Sequence, residues 1–271
     1  MKHITSPHNA IIRHAEQLQR KSKVRKKEGL FMVEGQREVM LCHKGGFILE
    51  QLLVCGPILL DTNDFTAQEV YSKIGLNSSP EVISVTQEVY EKLAYRTGTE
   101  GVIAFAKAKS QQLQDLKLSK NPLILIAESP EKPGNLGAIL RTADAAKVDA
   151  VVIANPVADL FNPNVVRSSV GCVFTVPTAT GTTAELIAFL RSKNIHLYAA
   201  TLQSSERYDK MDYTTATAIA LGTEATGLSQ EMRDAAVQNI IIPMSGAIDS
   251  MNLSVSAAIL IFEAKRQRDF K

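Results

Sequence analysis

Residues 123 to 144 read Leu-Ile-Leu-Ile-Ala-Glu-Ser-Pro-Glu-Lys-Pro-Gly-Asn-Leu-Gly-Ala-Ile-Leu-Arg-Thr-Ala-Asp. An apolar run, Leu123 to Ala127, opens into a turn-rich loop and then into a helical pattern with one arginine, Arg141. The spacing predicts a strand, a loop at its carboxyl end and a helix, and open α/β sheets place their ligands at that end. Two later segments repeat the design: Leu221-Gly-Thr-Glu-Ala-Thr-Gly-Leu-Ser229 and Ile242-Pro-Met-Ser-Gly-Ala-Ile-Asp-Ser-Met-Asn-Leu-Ser254. In each, a short apolar strand passes into a Gly- and Ser-rich turn and then a helix.

Working outward, strands are predicted at Leu123 to Ala127, Ala150 to Ala154, Val173 to Val176, Ile195 to Ala200, Ala218 to Leu221 and Asn239 to Ile242. Helical stretches separate most of them, which specifies an α/β fold with a parallel sheet covered on both faces. Thr182 with Glu185 forms a capping box, and Ser229 with Glu231 opens a further helix. A last helix, from about Leu253 to Arg268, carries a stripe of Leu253, Ala257, Leu260, Ile261 and Ala264 able to pack on the sheet or on a second subunit. Residues 1 to 106 read as a smaller α/β domain. There Ser6-Pro7 starts a helix, strands fall at Leu30 to Val33, Leu52 to Cys55, Val82 to Val85 and Val102 to Ala106, and helices lie near Arg37 to His43 and Gln87 to Tyr95. The polar stretch 107 to 121 reads as a linker, leaving 122 to 271 as the second domain.

At 271 residues the chain is long enough for two cores, and it holds no apolar stretch near the length of a bilayer span. Its amino terminus lacks the apolar core of a secretory signal. Cys42, Cys55 and Cys172, odd in number and widely spaced, suit a reducing cytoplasm better than a disulfide framework or a zinc site. The formal charge of +2 is unevenly spread: Arg20, Lys21, Lys23, Arg25, Lys26 and Lys27 crowd into one short run. Such a run either neutralises nucleic-acid phosphates or forms a solvated charged face.

The residues of the three loops each admit a local reading. Asn135 stands where an N-cap belongs, and Arg141 is either a surface ion-pair partner or a functional cation. Glu224 either caps the helix near Ser229 or accepts from a ligand or from Arg141. Ser250, Asn252, Ser254 and Ser256 are more polar groups than capping one helix requires. Gly134 and Gly137 complete neither a dinucleotide fingerprint nor a phosphate-binding P-loop, which argues against a dehydrogenase or kinase.

Taken together, the three loops resemble the SpoU family of RNA ribose 2'-O-methyltransferases. The family's first motif, Asn-x-Gly followed by Arg-Thr-Ala, stands as Asn135-Leu-Gly137 and Arg141-Thr-Ala143. Its second stands as Gly222-Thr-Glu224-Ala-Thr-Gly227. Its third stands as Ile242-Pro-Met244 and Ser250-Met-Asn252-Leu-Ser254, and Ser168, Gly171 and Phe174 match a further segment. The front of the chain looks like a substrate-binding domain related in fold to a ribosomal protein that binds kinked RNA. The resemblance implies a parallel sheet with a deep trefoil knot at its carboxyl end, a homodimer, and S-adenosylmethionine as cofactor without a metal.

By the same resemblance Arg141, Asn135, Glu224, Ser250 and Asn252 form the catalytic set, and Leu221, Gly222, Ile242, Met244 and Met251 hold the cofactor. The basic run from Arg20 to Lys27 then binds RNA. A separate front domain points to large-subunit (23S) ribosomal RNA rather than transfer RNA; a non-catalytic RNA-binding protein of the same fold is the alternative. The chain departs from the pattern at Met251, where leucine is usual, at Ala146-Lys147, which lacks the helix-ending glycine, and at Glu128, where aspartate is more usual. The family's proposal for the motif-one arginine is a general base. Deprotonating arginine at neutral pH costs roughly 7 kcal/mol from its reference pKa, which favours Arg141 as a cation that grips phosphate and stabilises a developing alkoxide.

Overall fold

The computed structural model describes every residue except 96–99, 204, 248–249 and 271. In chain order the elements are β1 (Lys2–Ile4), α1 (Ala10–Arg20), α2 (Ser22–Glu28), β2 (Leu30–Glu34), α3 (Gln36–Lys44), β3 (Leu49–Val54), α4 (Gly56–Leu59), α5 (Ala67–Ile74), β4 (Glu81–Val85), α6 (Gln87–Leu93) and β5 (Val102–Lys107). They continue with β6 (Leu123–Glu128), α7 (Pro133–Ala145), β7 (Ala150–Ala154), α8 (Pro163–Ser168), β8 (Thr178–Gly181), α9 (Thr183–Ser192), β9 (His196–Ala200), β10 (Glu206–Arg207), β11 (Thr217–Leu221), α10 (Gln230–Ala235), β12 (Gln238–Ile241) and α11 (Leu253–Gln267). They form two compact units, Met1–Lys109 with Leu160–Thr175, and Ser110–Asp159 with Val176–Lys271.

The first unit is built on a five-stranded mixed sheet in the order β1-β4-β3-β5-β2. Helix α1 lays Ile12, Ala15 and Leu18 on it, against Leu53, Ile83 and Phe105. Its N-cap is Asn9, whose side chain accepts from the Ile11 N–H, so the helix begins after the expected Ser6-Pro7, which lies in the preceding turn. Residues 160 to 175 belong to this unit because of their aromatic rings. Phe161 stacks on Phe31 at 4.2 Å between centroids, and Phe174 and Phe47 complete the cluster. That packing explains why the strand expected at Val173 to Val176 is absent: Cys172–Phe174 is a 3-10 turn.

The second unit is a seven-stranded parallel sheet in the order β10-β12-β9-β11-β6-β7-β8. Its central strands alternate faces as pleating requires. Ile124, Ile126, Ala218 and Ala220 join a core with Leu186 and Leu190 of α9 and Met232 of α10. Leu113, within the expected linker, is buried in the same core. Leu125 and Ala127, on the opposite face, are also buried, and there α11 packs against α7, β6 and β11. The capping box at Thr182 and Glu185 forms as expected, as does the buried stripe of α11. Helix α7 ends without glycine. Lys147 itself takes the left-handed conformation, at φ 49°, and the Val148 N–H closes back on the Ala143 carbonyl.

Candidate active site

The loops after β6, β11 and β12 carry the three motifs, and β11 lies directly between β6 and β9. Pro133 occupies the first turn of α7, preceded by Lys132 in extended conformation, so Asn135 sits inside the helix rather than capping it. Its side chain is thereby released for a longer reach: Nδ2 donates to Glu224 Oε1 at 2.9 Å.

Glu224 is the hub. Asn252 Nδ2 also donates to its Oε1, at 2.9 Å, and to Asn135 Oδ1, at 3.1 Å. Lys132 pairs with its second oxygen. The Lys132 ammonium, then the Asn135 amide, hold the Glu224 carboxyl below the usual carboxylate range, aided by the Leu253 backbone. Asn252 does double duty, because its Oδ1 accepts from the Ser254 N–H and hydroxyl and so caps α11. Two of the expected alternatives for Glu224 do not hold: Ser229 caps α10 with its own hydroxyl, and Arg141 is not its partner. The lysine was absent from the residues singled out in the sequence.

Arg141 stands six residues beyond Asn135, roughly 9 Å along the helix. It is exposed, with no hydrogen bond or ion pair among the described residues. Asn135 and Glu224 therefore do not hold it, and its charge is free for an incoming anion. Ser250 is exposed beside the hub; its neighbours Ile248 and Asp249 in the third motif lie outside the described residues.

Behind the hub lies a cleft of about 380 Å³, lined by Leu221, Gly222, Ile242, Met244 and Met251, the full set nominated from sequence. Residues 200 to 203, at the end of β9 and just beyond it, form another wall, as does Arg233 of α10. Sequence reading missed these, although β9 neighbours β11 and ends on the same side of the sheet. The second motif needs its glycines for closure of its own loop. A Cβ on Gly222 would stand 2.0 Å from the Gly227 carbonyl carbon, and Gly227 has φ 68°.

Glu128, from which sequence reading drew nothing, is 3 % exposed at the end of β6. It accepts from the Thr183 hydroxyl at 2.6 Å and from both the N–H and hydroxyl of Ser229 at 2.7 Å, tying the starts of α9 and α10 to the sheet. In the first unit, Arg20, Lys21, Lys23, Lys26 and Lys27 are exposed. Arg25 departs from that pattern: it is buried, and its guanidinium donates to the Leu18 and Gln19 carbonyls at the end of α1. Cys42 and Cys55 are buried and their thiols pushed up by desolvation, which disqualifies them as nucleophiles. Among the described residues, no group of three or more His, Cys, Asp or Glu could hold a metal, and no helix is long and apolar enough to cross a membrane.

Residues 122–262 match the family model described as the SpoU rRNA Methylase family, and residues 9–104 match one described as an MRM3-like substrate binding domain. The chain is 34 % identical over 189 residues to the 23S rRNA (guanosine-2'-O-)-methyltransferase RlmB of Bordetella pertussis, covering 68 % of this chain and 77 % of that one. It is similar to a crystal structure described as an RNA 2'-O ribose methyltransferase, with 37 % identity, TM-score 0.80, and coverage of 98 % and 99 %. It also resembles an AdoMet-bound rRNA methyltransferase from Sinorhizobium meliloti, with 27 % identity, TM-score 0.86, and coverage of 98 % and 97 %. With the SpoU family model covering more than half of its length, the stretch that holds Asn135, Arg141, Glu224 and Asn252, the chain belongs to the SpoU rRNA methylase family.

Proposed function

We propose that this protein transfers a methyl group from S-adenosylmethionine to a ribose 2'-hydroxyl of ribosomal RNA, most directly 23S RNA. The observation that carries the reading is the convergence of Asn135, Glu224 and Asn252, one from each of the three motifs, at the rim of one cleft. The cleft fits the cofactor in kind. Its volume lies within the range of small-molecule sites, Leu221, Ile242, Met244 and Met251 offer apolar cover to a purine, and polar groups gather at its edge. Bound there, the cofactor supplies an activated methyl group to an oxygen nucleophile.

The chain's own residues do the rest. Glu224 locks the amides of Asn135 and Asn252, and these with Ser250 orient the target ribose, so that positioning replaces a bimolecular encounter. Arg141 grips the neighbouring phosphate and stabilises the developing alkoxide while the hydroxyl proton passes to solvent water. Arg20, Lys21, Lys23, Lys26 and Lys27 of the first unit attract RNA phosphates, while Arg25 serves its own fold. Residues 1 to 106 thus bind substrate and 122 to 271 carry the chemistry, threaded as the family's trefoil knot. Val255 and Phe262, apolar and exposed on α11, favour a homodimer. A ribosomal RNA substrate supports a cytoplasmic location.

Arg141→Ala tests the assignment. With ribosomal RNA from cells lacking the protein and labelled S-adenosylmethionine, transfer falls at least ~1,000-fold while calorimetry shows cofactor binding intact. Near-full activity of Arg141→Lys would overturn the bidentate phosphate grip, since lysine keeps only the charge.

A further inference from the structure

The described lining of the cleft carries two charged side chains, Glu224 and Arg233. Glu224 is neutralised by Lys132. Arg233 is not neutralised: among the described residues no carboxylate pairs with it. Its Nη1 donates at 2.8 Å to Gln203 Oε1 and its Nη2 at 2.7 Å to Gln230 Oε1, both neutral amide oxygens. Gln203 is itself steadied by the Thr201 hydroxyl at 3.2 Å. Two amides thus fix the plane of the guanidinium without cancelling its charge, and three of its five N–H donors are left over.

The support beneath it is tied to the sheet. Arg233 rises from α10, whose N-cap Ser229 is bonded to the buried Glu128 at the end of β6. Gln203 follows the end of β9, which also lines the cleft. A half-buried arginine, pre-oriented and uncompensated in a small-molecule cleft, fits a planar anion of carboxylate size.

We infer that Arg233 anchors the carboxylate of the cofactor's methionine tail and so selects S-adenosylmethionine over ligands that lack it. The inference rests on the cofactor reading above. Gln203 and Gln230 are positioning residues that hold the guanidinium fork for a bidentate contact. The amino-acid end of the cofactor is then fixed at the β9 and α10 wall, and its purine lies against Ile242 and Met251.

Calorimetry on the whole protein, without RNA, separates this from the cofactor reading itself. The ligands are S-adenosylmethionine and decarboxylated S-adenosylmethionine, which keeps the sulfonium and the ammonium. The wild-type protein binds the first more tightly by roughly tenfold or more, the size of a charge-assisted hydrogen bond. Arg233→Gln weakens the first ligand by a similar factor and leaves the second within twofold, with an unchanged melting temperature. Arg233→Lys, which keeps the charge without the fork, falls between. Equal weakening of both ligands, or of neither, overturns the carboxylate anchor while leaving the cofactor reading in place; failure of the wild-type protein to bind either ligand overturns both.

Discussion

Glu128 and Glu224 stand near the carboxyl ends of neighbouring parallel strands, and each gathers donors from two other parts of the chain. Glu128 is sealed, and its partners are two hydroxyls and a backbone N–H that belong to helix starts. The Glu224 side chain is 29 % exposed, and its partners are two side-chain amides and an ammonium at an open rim. The contrast teaches how one sheet edge divides its labour: the closed carboxylate holds the scaffold together, and the open one arranges groups for a substrate.

Paired substitutions break this comparison most sharply. Glu224→Gln removes the charge that locks Asn135 and Asn252, so methyl transfer falls roughly 100-fold or more, in line with losing one preorganised group, while thermal melting barely moves. Glu128→Gln does the reverse. It sets an amide N–H₂ against buried donors, costs about 2–3 kcal/mol in a chemical denaturation series, and leaves transfer near normal below the melting range. Had the two variants traded effects, the division between scaffold and site would be wrong.

A smaller effect sharpens the role of Lys132. The Glu224 carboxyl is held below its unfolded value, so the stability its ionised form contributes is complete above the unfolded pKa of about 4.3 and is lost as pH falls through the lower folded value. Lys132→Gln removes the leading cause of that depression. The acid limb of the pH profile for transfer then moves upward, whereas Lys132→Arg leaves it in place; an unmoved limb in Lys132→Gln would make the ion pair incidental.

How much of this was legible in sequence follows the same contrast. Strands β6, β7, β9 and β11 could be read because both their faces are largely buried and each is mainly an apolar run, whereas β12 is half-buried and showed only through Ile240 and Ile241. Three sheet-edge strands could not: β8 is Thr178–Gly181, β10 has two residues and β1 three, too short or too polar for periodicity to register, while the edge strand β2 is apolar and buried and was read. Val173 and Phe174 misled for the opposite reason, because their apolarity serves an aromatic cluster in the other unit. Within the site, the motifs named Asn135, Arg141, Glu224 and Asn252. Local rules offered a cap as one reading of Asn135, which Pro133 removes by setting the helix start a few residues earlier. Glu128 and Lys132 were invisible because their partners lie 55 to 101 residues away, a distance that spacing does not encode.

The most direct test of the account maps 2'-O-methyl groups across total RNA from cells with and without this protein. The account predicts one or a few sites in large-subunit ribosomal RNA that vanish with the protein, return with the wild-type chain and stay absent with Arg141→Ala. Identical maps, loss confined to transfer RNA, or full restoration by Arg141→Ala would contradict it.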